Sequence, residues 1–168
     1  MSLLATFLPS IAGKVQEWIE GQRAVHTPDA RPLTESERGS FAAHFTDAVL
    51  SSARVKLVER IENPPFLEGL LNQAAFLGFR VNFDFAGFAG ITFVDCILIQ
   101  QSEMRAGLLF HELVHVEQYR QLGTPAFVRA YVQVMAEASF VYERIPLEAN
   151  ASELTARFTA AEKFSVAE

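Results

Sequence analysis

Residues 111–115 read His-Glu-Leu-Val-His, and in this pattern the residue types themselves suggest a reaction. On a helix, a spacing of four stacks His111 and His115 on one face, one turn apart. Neutral imidazole is a good zinc ligand, and two rings so spaced can converge on one tetrahedral ion without bending the backbone. Glu112 sits at the edge of the same face, placed to take a proton from water that zinc has acidified to a pKa of about 7. Two ordinary helical histidines are the plain alternative. The pair with its glutamate arises by chance in a chain of this length on the order of once in a few hundred. Leu108, Leu109, Leu113, Val114 and Val116 can also seat the other faces of the helix in a core, as rigid ligation requires.

A catalytic zinc site needs a third protein ligand and an open fourth position. The metzincin pattern would put a glycine at 118 and a histidine at 121, but this chain has Gln118 and Gln121, and no histidine follows His115. The later donors are carboxylates: Glu117, Glu137, Glu143, Glu148, Glu153, Glu162 and Glu168. Glu117 lies about 200° round the helix from His115 and is poorly placed. A glutamate on a later helix is therefore expected.

The run Phe110-His111-Glu112-Leu113-Val114-His115-Val116-Glu117-Gln118-Tyr119, followed by Pro146-Leu147-Glu148-Ala149-Asn150-Ala151, resembles the minimal gluzincin metallopeptidases and short bacterial zincin-like domains. The likeness covers about the last third of the chain. It implies a zincin-like fold, Zn2+ as cofactor, and a downstream Glu-x-x-Ala whose glutamate is the third ligand, here Glu148 with Ala151. Glu143 and Glu137 are the runners-up. An aspartate is common in that family where this chain has Ser152, so a carboxylate orienting a histidine must come from elsewhere, with Asp95 as one candidate. A polar group should also stabilise the oxyanion of a tetrahedral intermediate; Tyr142 is the first to test, with Tyr131 and Arg144 behind it. The implied activity is hydrolysis of peptide bonds in a peptide or protein substrate, with Glu112 as general base. In such folds the strand before the active helix lines the cleft, which makes 93–100 the expected substrate edge. A binding module that keeps the fold but cleaves nothing is the alternative.

The elements that would position these residues follow from periodicity. Apolar residues from Leu4 to Ile19 recur at helical intervals, and Pro9 should kink that helix or mark its start. Residues 21–32, with Gly21, Pro28 and Pro32, read as a loop. Thr34 and Glu37 have capping-box spacing and open a helix expected to end near Ser51 or Ser52. A strand is expected within 54–61, a short helix over 66–76 closed by Gly78, and two strands across 81–100, the second spanning 91–100. Ser102 is the expected cap of the motif helix and Gly123 with Pro125 its end. Two more helical patterns, 126–141 and 147–163, complete the chain. Helical patterns outnumber strand patterns and the strands cluster between Arg54 and Gln100, so the expected class is α+β, a small mixed sheet beside several helices.

Composition bounds the function. The 168 residues fit one domain spanning 1–168. Half the chain is hydrophobic, and its fifteen phenylalanines have no polar atom to satisfy, so most belong in a core. A net charge of −6 repels polyanions, which argues against nucleic acid. The single cysteine, Cys96, allows no internal disulfide, so a reducing, cytoplasmic compartment is expected. No apolar run approaches the roughly 18 residues of a membrane span. His26 and His44 read as loop and surface residues, and the oligomeric state is open.

Overall fold

The architecture follows from one run of residues, Cys96-Ile97-Leu98-Ile99, which is apolar at every position because both of its faces are covered. A computed structural model of the chain describes residues 3–76, 84–137 and 145–167. Strand β4 (Cys96–Gln100) lies inside a four-stranded mixed sheet. It pairs in parallel with β2 (Arg54–Val58) and antiparallel with β3 (Gly90–Phe93), and β1 (Arg31–Pro32) adds antiparallel to β2, for an order of β1-β2-β4-β3. The fold is thus α+β with a mixed sheet, and seven α-helices are found among the described residues.

Side chains alternate across a strand, so β4 feeds two cores. Ile97 and Ile99 join Phe41, Phe45, Val55, Phe110 and Leu113 in one; Cys96 and Leu98 join Ile19, Phe93, Tyr119, Phe127 and Val128 in the other. The first is built on α2 (Glu35–Phe41), α3 (Asp47–Ser52), α5 (Ala106–Leu122) and α7 (Pro146–Thr159); the second on α1 (Leu3–His26), α6 (Thr124–Glu137) and again α5. Helix α5 contributes to both, and from Leu109 to Tyr119 every residue but His111 is buried. A helix covered all round holds its side chains in fixed directions. Helix α4 (Leu67–Phe76) lies beyond β2 in the chain. No helix among the described residues is long and apolar enough to cross a membrane.

Several boundaries differ from the sequence expectation. The predicted loop at 21–32 is largely helical: α1 continues to His26, where Arg23 clamps Asp95 through two bonds of 2.6 and 2.7 Å and its carbonyl accepts from Thr27 at 2.6 Å. It also runs through Pro9. The Thr34–Glu37 capping box forms, with bonds of 3.2 and 2.7 Å, but its helix stops after Phe41 and a second begins at Asp47, because Thr46 is extended (φ −67°, ψ 155°). The expected strand 91–100 is a hairpin. Its turn falls at Val94, whose φ of 64° costs a β-branched residue about 1–2 kcal/mol, so no glycine or asparagine signals it. Asp95 secures the turn, its carbonyl accepting from Arg54 N at 2.8 Å while its carboxylate holds Arg23. Ser102 lies in a 3-10 turn and α5 begins after Arg105 instead. Gly123, at φ 74°, ends α5 as expected. Residues 81–83, Gly78 and 138–141 fall outside the described residues.

Candidate metal centre

The geometry of the motif on α5 follows from helical spacing and burial together. His111 and His115 stack one turn apart on α5, ring centroids 4.8 Å apart and ring planes at 80°, with Nε2 facing Nε2 at 3.1 Å. Helix α7 brings the third donor. Ile145, fully buried, is its extended N-cap, and Pro146 starts the helix at the position where a missing N–H costs nothing. Glu148 then falls in the first turn, where the helix dipole favours a carboxylate. Its Oε2 lies 3.3 Å from His111 Nε2 and its Oε1 3.4 Å from His115 Nε2.

These three residues form a group that could hold a metal ion, one ligand atom from each lying within 4.8 Å of the others. A tetrahedral ion with bonds of about 2.0–2.1 Å sets its donors about 3.3–3.4 Å apart. The facing imidazole nitrogens, 3.1 Å apart, are close to that edge length, and each has its own Glu148 oxygen beside it, Oε2 at 3.3 Å from His111 and Oε1 at 3.4 Å from His115. Two imidazole nitrogens facing each other share at most one proton as a hydrogen bond, whereas a cation between them satisfies both lone pairs. The donor set therefore fits a divalent ion.

Without an ion, the charges of the site compensate one another. Burial works to lower the pKa of His115, but the hydrogen bond and charge of Glu148 outweigh it and raise it to about 9. Burial acts to raise Glu148, yet the hydrogen bonds with His111, His115 and Tyr131 hold its carboxyl well below the usual range. The Tyr131 hydroxyl donates to Glu148 Oε1. Glu112 is pushed up by burial, against the pull of His115, His111 and the Thr92 hydroxyl.

Glu112 points away from solvent, only 4% exposed, into a cavity of about 100 Å³ that it shares with His115, Glu148, Tyr131 and the α1 side chains Val15 and Trp18. Thr92 on β3 donates to Glu112 Oε2 at 2.7 Å and also lies 3.2 Å from its backbone carbonyl. Gly90, two residues earlier on the same face of the strand, leaves the space that the carboxylate fills. His111 looks the other way, onto an open groove lined by Ser152, Thr155 and Ala156.

The structure brings His111, His115 and Glu148 together and sets Glu112 on the cavity that His115 and Glu148 line. It separates other candidates. Asp95 orients no histidine; it sits at the hairpin turn, bound to Arg23. Glu117 turns to Arg120 and Gln121 at 2.7–3.0 Å. Glu153 is exposed and Glu162 pairs with Arg157. Tyr142, Glu143 and Arg144 lie outside the described residues, as does the side chain of Glu137. Tyr131, weighed in the sequence as an oxyanion donor, donates its hydroxyl to the carboxylate of Glu148. His44 is buried, with Nδ1 3.1 Å from the Phe164 carbonyl, and His26 ends α1 beside Lys56. The expected substrate edge at 93–100 shifts as well: β4 is interior, and among the described residues β3 is the sheet edge beside Glu112. Thr92 and Gly90 meet Glu112 across twenty or more residues, so no local pattern reveals them. The orienting partner of His115 is Gln118, 2.8 Å from Nδ1, and its i+3 position on the histidine face was the available signal.

Comparison of the chain with protein-family models, with curated proteins and with solved structures finds no match in any of the three.

Proposed function

We propose that this protein is a zinc-dependent metallopeptidase of gluzincin type, in which His111, His115 and Glu148 hold the ion and Glu112 is the general base. The observation that carries the reading is the convergence of two imidazoles and one carboxylate, the facing nitrogens 3.1 Å apart and each with a carboxylate oxygen at 3.3 or 3.4 Å, with a second, base-competent carboxylate on the cavity that His115 and Glu148 line. Two imidazole nitrogens and a carboxylate are a donor set that suits zinc. When bound, the ion supplies Lewis acidity, acidifying water and polarising a carbonyl.

The chain's own residues do the rest. Glu112 accepts the proton of the attacking water and hands it to the leaving amine. Burial raises its pKa above that of an ordinary carboxylate, which suits a group that must both take and return a proton. Thr92 fixes which carboxylate oxygen is free, since Oε2 is occupied and Oε1 is not held by it. Strand β3 supports a peptide as substrate, because among the described residues it pairs on one side only and an extended chain can add to such an edge.

A non-catalytic metal-binding module is the second reading, favoured by how closed the site is: His115 and Glu148 are 5% and 4% exposed. Glu112→Gln separates the two. It keeps the shape of the side chain, so zinc uptake should persist while hydrolysis of a fluorogenic peptide falls by about 100- to 10,000-fold. Full activity in that variant sinks the catalytic reading; zinc uptake by a wild-type protein that cleaves nothing supports the module.

A further inference from the structure

Gln118 is 7% exposed, and both ends of its amide are used. Its Nε2 lies 3.0 Å from the Leu147 carbonyl and 3.1 Å from Asn150 Oδ1; its Oε1 lies 2.8 Å from His115 Nδ1. The directions are settled by chemistry rather than by the shape of the amide. A peptide carbonyl can only accept, so the group facing Leu147 is the NH2. The oxygen then faces His115, and an oxygen there requires a proton on Nδ1. In the neutral ring, the form that binds a metal, Nε2 then carries the lone pair, and Nε2 is the atom that meets His111 and Glu148.

The two acceptors on α7 bracket the third donor, Leu147 lying one residue before Glu148 and Asn150 two after. One side chain therefore grips the helix that carries the carboxylate and the ring of one histidine together. From this we propose that Gln118 is the positioning residue of the metal centre: it selects the tautomer of His115 and ties the first turn of α7 to α5, setting the distance across which the donors close on the ion. This rests on the metal-binding reading above, and it goes beyond it by naming what holds two of the three donors in register. Sequence spacing alone could place Gln118 on the histidine face, but its hold on α7 exists only in the folded chain.

Three measurements test it. In zinc-loaded wild-type protein, 15N NMR of the histidine rings should show His115 protonated at Nδ1 and metal-bound at Nε2; the reverse tautomer overturns the proposal without any variant. Gln118→Leu removes every contact at similar volume, and zinc affinity measured by competition with a chelator should fall about 10- to 100-fold. With Co2+ in place of zinc, the visible bands of the tetrahedral ion should also weaken or shift. Gln118→Glu keeps an oxygen for His115 but sets a carboxylate against the Leu147 carbonyl. It should preserve the His115 tautomer while still lowering affinity, and it answers the question even if the leucine variant does not fold. Wild-type affinity and an unchanged Co2+ spectrum in these variants overturn the positioning role and leave the metal reading standing. A wild-type protein that takes up no divalent ion overturns both.

Discussion

Gly90→Ala places a single methyl group against the proposed base. A Cβ at this position would lie 2.7 Å from Glu112 Oε1, 3.1 Å from Cδ and 3.2 Å from Cγ, and these are its three nearest neighbours, none of them a metal donor. Carbon–oxygen contacts settle at about 3.3 Å or more, so the carboxylate must retreat by about 0.6 Å. A free glutamate would do so at little cost. Glu112 is instead buried and tethered through Oε2 to Thr92 at 2.7 Å. Retreat either stretches a charge-assisted hydrogen bond worth about 1.5–3 kcal/mol or drives the side chain off its rotamer for about 0.5–1.5 kcal/mol. A misplacement of about 1 Å costs a reaction on the order of 100-fold, so a shift of about 0.6 Å should cost about tenfold or more. The assay is kcat/KM of the zinc-loaded protein on a fluorogenic peptide, run beside zinc affinity. The expected result is a drop of about 10- to 100-fold in kcat/KM with affinity unchanged, and no further loss when Gly90→Ala is added to Glu112→Gln, since both act through one group. Wild-type turnover in Gly90→Ala refutes the placement of Glu112 as the base. A parallel fall in zinc affinity refutes it too, because the glycine would then be protecting the donors.

Two further outcomes follow from the same geometry. In the metal-free protein His115 has a pKa raised to about 9, so at neutral pH an incoming ion must displace its proton; apparent zinc affinity should therefore rise about tenfold per pH unit from pH 6.5 towards 9 and then level off, as chelator competition at several pH values will show, and a flat profile contradicts it. Phe110 is fully buried and stacks on Phe158 at 4.4 Å with Phe45 at 5.0 Å, so Phe110→Ala should cost about 3–5 kcal/mol by denaturant unfolding, whereas a loss under about 1 kcal/mol would mean that the core closes over the gap.

What the sequence determined by itself is the part of the site that one helix carries. His111, Glu112 and His115 lie within five residues, and a helix converts that spacing into a shared face without help from the rest of the chain. The capping box at Thr34, the glycine end of α5 and the apolar run of β4 were legible for the same reason, since each is a local rule acting over a few residues. Tertiary structure decided the rest. Glu148 could be named from the motif it resembles, but its distances of 3.3 and 3.4 Å exist only because α7 packs on α5. Gly90 and Thr92 became relevant when β3 took the sheet edge beside Glu112, and Asp95 lost its suggested role when a hairpin with a left-handed valine turned it toward Arg23. Helical spacing is a property of the chain, whereas contacts between distant segments are set by which apolar faces find one another, and no local pattern encodes that choice.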